Sequence, residues 1–147
     1  MGILTPRFLI GICLWMTGSL LRLHCYHALG QFFTFELSIR KDHKLLTSGP
    51  YSIVRHPAYT ATICMLVGWV LAVFDRHSWL VVSSGFFPTT EVTLERTLWF
   101  LRALVLSPSL FVFPRMRNED TMLAATFGDE WRAWVEKVPS RLIPGVY

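Results

Sequence analysis

Three long apolar stretches, separated by short charged blocks, dominate this sequence. Residues 8–21 carry no charge and lie between two arginines, residues 57–74 carry no charge at all, and residues 94–113 are apolar apart from a few charged positions. A helix needs about 20 apolar residues to cross a bilayer, and an arginine near its end can extend its side chain to the interface. The pattern therefore predicts three transmembrane helices.

The segments around these helices are amphipathic or short. Residues 24–35 are aromatic and amphipathic, and we expect them to continue the first helix into the interface. Residues 78–90 are uncharged, but they are too few to cross a bilayer and contain Gly85 and Pro88. Lys/Arg-rich blocks precede residue 57 and follow residue 113, and such blocks prefer the cytosolic side, so the number of crossings between them should be even. We therefore predict a re-entrant or interfacial segment at 78–90.

The C-terminal part has a different pattern, in which apolar residues recur every three or four positions. This spacing predicts two short amphipathic helices, interrupted at Gly128, with Asp129 as the cap of the second helix and Pro139 as its end. The apolar positions are Met122, Leu123, Phe127, Trp131, Trp134, Val135 and Val138. The predicted fold class is all-α: a polytopic membrane protein with about three transmembrane helices, the re-entrant or interfacial segment and C-terminal amphipathic helices. Its 147 residues allow one domain, 1–147.

Composition favours the membrane. Hydrophobic residues make up 52% of the chain, charged residues only 16%, and the mean hydropathy is +0.42. Soluble domains carry about 25% charged residues. The net charge of +4 comes from short clusters beside apolar runs, which argues against nucleic-acid binding. The three cysteines predict neither a disulfide framework nor a metal site, and no cleavable signal is evident.

The polar segment 46–60, between two apolar runs, is the first candidate site. His56 precedes Pro57, which opens the second predicted helix, and Tyr51 and Tyr59 flank it. The N-terminus of a helix has unpaired amides and the positive end of the dipole, which favour a ligand carboxylate. A histidine in this position is also a common capping or interfacial residue, and that interpretation stays open.

Arg115 and Glu119 form the second candidate site. They are four residues apart, hence on one face of a helix, and such a pair is usually an ordinary surface salt bridge. Beside an apolar run, the same two charges can instead face a lipid-lined cleft. An arginine can hold a carboxylate through two hydrogen bonds, and a glutamate can accept from an ammonium or a ribose hydroxyl.

Several motifs occur in an order that resembles the isoprenylcysteine carboxyl methyltransferase family. They run from about residue 20 to the C-terminus: His43 with Leu45 and Leu46, the segments TSGPY (47–51) and RHPAY (55–59), Arg115 with Glu119-Asp120, the segment FGDEW (127–131), and Val138-Pro139. The resemblance implies a multi-pass enzyme of the endoplasmic reticulum membrane. Such an enzyme uses S-adenosylmethionine to methylate the carboxylate of a prenylated C-terminal cysteine in CaaX-type proteins.

The resemblance also implies roles for individual residues. Arg115 would hold the substrate carboxylate, and Glu119 would act with it as a catalytic residue. The implied cofactor-binding residues are Glu36, His43, Lys44, Leu45, Leu46, Tyr51, His56, Pro57, Ala58, Tyr59 and Glu119. No metal is implied.

The chain departs from the family pattern at three positions. Ala61 stands where the family has glycine, Asp120 stands where its acidic pair has a second glutamate, and Glu36 stands where a glutamine is typical. Compared with the family, we also expect about two or more N-terminal helices to be missing and residues 75–93 to be an insertion, so the chain could oligomerise. Two alternatives remain open: a phospholipid methyltransferase acting on an ethanolamine amine, and an inactive, truncated membrane subunit.

Overall fold

The structure is a computed structural model and describes residues 4–30 and 44–146. Within these ranges the chain is helical, with no β-strand. The α-helices are α1 (Pro6–Leu29), α2 (Pro57–Val73), α3 (Trp79–Ser83), α4 (Glu91–Leu106), α5 (Val112–Phe127) and α6 (Asp129–Lys137), with 3-10 turns at Gly49–Ser52 and Ser107–Phe111. The predicted all-α class is confirmed.

The chain divides into two compact units. One comprises Met1–Ser19 and Thr62–Phe111, and the other comprises Leu20–Ala61 and Val112–Tyr147. The motif segments at 47–59, 115–120 and 127–139 all belong to the second unit. That a single methyltransferase domain covers 1–147 stays a prediction.

In the first unit, helices α1 and α2 pack through glycines. A Cβ atom added to Gly68 would lie 2.5 Å from the backbone O of Gly11 and 2.5 Å from the backbone N of Trp15. One added to Gly11 would lie 2.7 Å from the backbone of Gly68 and of Ala72. Small residues allow two apolar helices to approach this closely, which is how membrane helices commonly associate. The end of α2 then packs with α3 and α4 in a core of Val70, Phe74, Val81 and Leu98.

In the second unit, a buried cluster joins α1, the turn before α2, and the end of α6. Cys25, Tyr51, Trp134 and Val138 form its centre. The indole N–H of Trp134 donates to the backbone O of Tyr51 at 3.2 Å, so the polar atom of this large side chain is also satisfied. The segment that leads into α2 is thereby anchored to the C-terminal helix.

Among the residues that the structure describes, two helical stretches are long and apolar enough to cross a membrane, Pro6–Leu29 and Glu91–Phe127. The helix over the second predicted span, Pro57–Val73, is apolar but has only 17 residues. The first helix ends at Leu29 and so extends beyond the uncharged residues 8–21. Residues 31–35, the rest of its predicted continuation, lie outside the described residues. The count of three spans and the re-entrant segment at 78–90 stay predictions.

The predicted capping role of Asp129 is wrong. Helix α6 begins at Asp129 itself, and the residue in the cap position is Gly128, with φ of 50°. The turn between α5 and α6 requires this left-handed backbone, which glycine adopts without a Cβ penalty. Asp129 lies in the first turn, where an acidic side chain suits the helix dipole, and it pairs with Arg132 at 3.3 Å.

Candidate active site

His56 occupies the cap position of α2. Its backbone O accepts from the N–H groups of Tyr59 at 3.1 Å and Thr60 at 3.2 Å, while Pro57 fills the first helical position, where a missing N–H costs nothing. The side chain is only 4% exposed, and its Nε2 lies 2.8 Å from Oδ1 of Asp120. His56 is therefore both a backbone cap and a partner of a buried carboxylate within the same chain.

Asp120 pairs with three side chains, through hydrogen bonds to His56 and Arg55 and an ion pair with Arg141. Besides His56, Nη1 of Arg55 lies 3.3 Å and Nε of Arg141 lies 3.1 Å from its Oδ2. Its side chain is 8% exposed, and a buried carboxylate is stable only when it is paired and hydrogen-bonded as this one is. We call Arg55, His56, Asp120 and Arg141 the Asp120 cluster.

Backbone hydrogen bonds hold residues 139–142 beside the start of α2. The N–H of Arg55 donates to the O of Ser140 at 3.0 Å, and the N–H of His56 donates to the O of Arg141 at 2.9 Å. The hydroxyl of Thr60 donates to the O of Leu142 at 2.7 Å. The segments RHPAYT and PSRL, about 80 residues apart in the sequence, are thus direct partners.

A second group of side chains lies next to the cluster. The Tyr59 hydroxyl donates to Oε2 of Glu119 at 3.0 Å and accepts from Nε of Arg115 at 2.9 Å. The predicted pair of Arg115 and Glu119 is therefore joined through a tyrosine from α2. Glu119 is 37% exposed and Arg115 is exposed, so both charges can reach a ligand. We call these three residues the Tyr59 group.

His56 connects the two sets of residues. Its ring packs against that of Tyr59 with centroids 5.8 Å apart, and its Nδ1 lies 3.9 Å from Oε2 of Glu119. That distance is too long for a direct hydrogen bond. The two nitrogens of one imidazole thus face two different carboxylates, of Asp120 and of Glu119.

A cleft lies beside another face of helix α5. Arg117, Thr121 and Ala124 recur at helical spacing on a side of α5 that differs from the side of Arg115 and Glu119. The cleft has a volume of about 570 Å³ and is lined by Arg117, Asp120, Thr121, Ala124, Trp131 and Arg141. Asp120 therefore both lines this cleft and pairs with His56.

The remaining predicted site residues occupy several environments. Leu45 and Leu46 pack on the cluster around Cys25, and Lys44 is exposed. Tyr51 is buried, and burial raises the pKa of its hydroxyl above the ordinary value of 10.0. Pro57 is buried, and the backbone O of Ala58 accepts from Nη1 of Arg22 at 3.1 Å. Glu36 and His43 lie outside the described residues.

Sequence reasoning did not include Arg55 and Arg141 among the site residues, and it treated Asp120 only as a departure from the family pattern. His56 and Asp120 are 64 positions apart, and no periodic pattern in the sequence relates the two positions. Arg55 could have been predicted from the segment RHP, because it directly precedes His56, which is a predicted site residue. Arg141 offered no local signal of this kind.

Comparison with known proteins gives a consistent result. A sequence model of the isoprenylcysteine carboxyl methyltransferase family matches residues 9–125. Protein-S-isoprenylcysteine O-methyltransferase B of Arabidopsis thaliana is 25% identical over 132 residues, which are 88% of this chain and 56% of that protein. Protein-S-isoprenylcysteine O-methyltransferase of Schizosaccharomyces pombe is 28% identical over 127 residues, which are 84% of this chain and 44% of that protein.

A protein with another name also matches. The 7-dehydrocholesterol reductase of Arabidopsis thaliana is 28% identical over 107 residues, which are 73% of this chain but only 20% of that protein. No solved structure matches the chain. The chain spans about half the length of the curated methyltransferases it matches. Because the family match covers most of the sequence, from residue 9 to residue 125, this chain belongs to the isoprenylcysteine carboxyl methyltransferase family.

Proposed function

We propose that this protein uses S-adenosylmethionine to methylate the C-terminal carboxylate of prenylated cysteine in CaaX-type proteins. One observation carries the proposal: the Tyr59 hydroxyl holds Arg115 and Glu119 side by side at a partly exposed position of α5. The guanidinium of Arg115, which can bind the substrate carboxylate, therefore lies near the carboxylate of Glu119, which can accept hydrogen bonds from the cofactor. Family membership and the names of the matching methyltransferases support the same reaction.

Methyl transfer to a carboxylate needs positioning more than proton transfer. A carboxylate with a pKa near 4 is already ionised at pH 7, so no general base is required. A sulfonium cation and a carboxylate anion neutralise each other in the transition state, and a site with little water favours that step over the separated ions. Arg115 would orient the substrate carboxylate while leaving one oxygen free to react.

The residues present fit the cofactor. S-adenosylmethionine carries an ammonium and two ribose hydroxyls, all of which donate hydrogen bonds, and when bound it supplies the electrophilic methyl group. The carboxylate of Glu119 is an acceptor with 37% of its side chain exposed, as such a ligand requires. Lys44, Leu45, Leu46, Tyr51 and the segment His56–Tyr59 are the other described residues that we assign to the cofactor; Glu36 and His43, outside the described residues, complete the proposed set.

We place the site at the membrane of the endoplasmic reticulum. Two candidate membrane-spanning stretches support a membrane location. In our topology, α2 adds a third crossing, and residues 78–90 form a re-entrant or interfacial segment. The prenyl chain then reaches the site from the bilayer, in contact with aromatic and leucine side chains.

The test is a methylation assay with the protein reconstituted in membranes. Methyl-labelled S-adenosylmethionine is offered with a farnesylated cysteine, and separately with phosphatidylethanolamine. We expect label in the farnesylated cysteine as a base-labile methyl ester. Label in neither acceptor, from protein shown to be inserted, contradicts the proposal and favours an inactive subunit.

Label in phosphatidylethanolamine would favour the alternative of a phospholipid methyltransferase. That reaction removes a proton from an ammonium, so it needs an acceptor beside the nucleophile. The two residues that could serve, His56 and Asp120, bind each other at 2.8 Å, and both arginines of the cluster also engage Asp120. Asp120 is thus fully engaged, and family membership together with the names of the matching methyltransferases supports the carboxylate as the methyl acceptor.

A further inference from the structure

The Asp120 cluster has a consequence for the protonation of His56. An ionised carboxylate only accepts hydrogen bonds, so the proton between Oδ1 of Asp120 and Nε2 of His56, 2.8 Å apart, belongs to the histidine. A neutral imidazole carries one proton. With Nε2 protonated, the lone pair is on Nδ1, the nitrogen that lies 3.9 Å from Oε2 of Glu119.

We propose that His56 is neutral and that Asp120 is a positioning residue: by accepting the Nε2–H of His56, it keeps the lone pair of Nδ1 beside the Glu119 carboxylate, and these two acceptors together bind one donor group of the ligand. An ammonium, which has several N–H groups, or a hydroxyl can reach both acceptors. The ligand part of this inference rests on the proposed function, under which the donor is the ammonium or ribose hydroxyl of S-adenosylmethionine.

The arginines explain how Asp120 keeps this orientation. Nη1 of Arg55 donates to Oδ2, and Nε of Arg141 forms an ion pair with the same oxygen, so Oδ1 is left to face His56. Nη2 of Arg55 also donates to the backbone O of Pro139 at 3.1 Å, which ties its guanidinium to the C-terminal segment. Arginine offers five donors in a fixed plane and no acceptor, so neither arginine can accept a hydrogen bond from the side chain at position 120.

This constraint makes Asp120→Asn an informative variant. An amide has one oxygen and one NH2 group, and only the oxygen can face the two arginines. The NH2 group then faces Nε2 of His56, which must become an acceptor, so the proton moves to Nδ1. A donor would replace the acceptor beside Glu119. Asp120→Glu keeps two equivalent oxygens and serves as the matched control.

The experiment uses the full chain in lipid nanodiscs with 15N-labelled histidine. Nitrogen chemical shifts distinguish protonated from unprotonated ring nitrogens, and the His56 signals are assigned by their loss in His56→Gln. We expect Nε2–H in the wild type and in Asp120→Glu, and Nδ1–H in Asp120→Asn. Titration with S-adenosylmethionine should give a dissociation constant about tenfold or more higher for Asp120→Asn, since a hydrogen bond to a charged group is lost, and within about threefold of wild type for Asp120→Glu.

The outcomes separate this inference from the proposed function. Nδ1–H in the wild type, whether alone or together with Nε2–H, overturns the inference, and so does Asp120→Asn with the wild-type tautomer and affinity, even if its thermal stability is lower. If Asp120→Asn does not fold, the wild type and Asp120→Glu still decide the tautomer. Wild-type protein with Nε2–H that binds no S-adenosylmethionine leaves the positioning by Asp120 supported and overturns the proposed cofactor.

Discussion

At the scale of single residues, the Tyr59 hydroxyl is the group that joins Arg115 to Glu119. It donates to Glu119 and accepts from Arg115, so it sets the distance between an anion and a cation on α5. The distance between the Arg115 and Glu119 side chains of α5 thus depends on a residue of α2.

Tyr59→Phe removes only this oxygen. We expect kcat/KM for methylation of a farnesylated cysteine to fall about 10- to 100-fold, because hydrogen bonds to charged groups contribute about 1.5–3 kcal/mol. Tyr26→Phe, which removes a hydroxyl from α1 and keeps the ring that Arg22 contacts at 5.0 Å, is the control. Equal activity of Tyr59→Phe and wild type would show that the bridging hydroxyl has no part in the reaction.

Arg115→Ala tests the assignment of the substrate carboxylate. We expect no detectable carboxyl methylation, while the dissociation constant for S-adenosylmethionine changes by less than about threefold, because our assignment gives the exposed guanidinium to the substrate carboxylate and not to the cofactor. Arg115→Lys keeps the charge but not the planar donor pair and should recover only part of the activity. Parallel loss of cofactor binding and activity in Arg115→Ala would contradict the assignment.

At the scale of helices, the contact of α1 with α2 depends on the absence of a side chain. Gly68→Ala would place a Cβ atom 2.5 Å from backbone atoms of Gly11 and Trp15, and backbone atoms cannot turn aside as a flexible side chain does. We expect a loss of about 1–3 kcal/mol, measured as a lower Tm in detergent. Cys13→Ala, at an exposed position of α1, should leave the Tm unchanged. A Tm for Gly68→Ala equal to that of wild type would show that the helices are farther apart.

The start of α6 permits a direct comparison of neighbouring residues. Gly128 has φ of 50° and Asp129 is the first helical residue. We expect Gly128→Ala to cost about 1 kcal/mol in stability, and Asp129→Ala to cost less than about 0.5 kcal/mol, since its partner Arg132 is 72% exposed. Thermal unfolding of both variants measures the difference. The reverse order of the two values would restore Asp129 as the cap.

At the scale of the whole molecule, the proposed topology can be tested by labelling. In our topology the loop around Ser84 lies on the lumenal side and the segment around Ser140 on the cytosolic side. With the three native cysteines replaced by alanine, Ser140→Cys should react with an impermeant maleimide on sealed microsomes. Ser84→Cys should react only after the membrane is opened. Labelling of Ser84→Cys in sealed microsomes would show that the number of crossings is wrong.

Much of the fold could be predicted from the sequence because helical periodicity and apolar run length act locally. The all-α class and the start of α2 at Pro57 depend on residues within one or two turns of each other. The end of the second amphipathic helix just before Pro139 depends on similarly local residues. The cap at Gly128 was missed although it is local, because Asp129 fits the usual preference for an acidic cap, while the glycine before it is itself the residue type that favours a positive φ.

The site was predictable in part. Order and spacing of motifs selected His56, Tyr59, Arg115 and Glu119, and those four side chains do lie together. The sequence by itself determined the helical class and the apolar stretches, because these depend on residues that are close together in the chain. It also determined these candidate residues, through the order and spacing of its motifs. Only the tertiary structure decided that Tyr59 joins Arg115 to Glu119 and that His56, Arg55 and Arg141 meet at Asp120, since hydrogen bonds between distant segments depend on distances that no sequence pattern encodes.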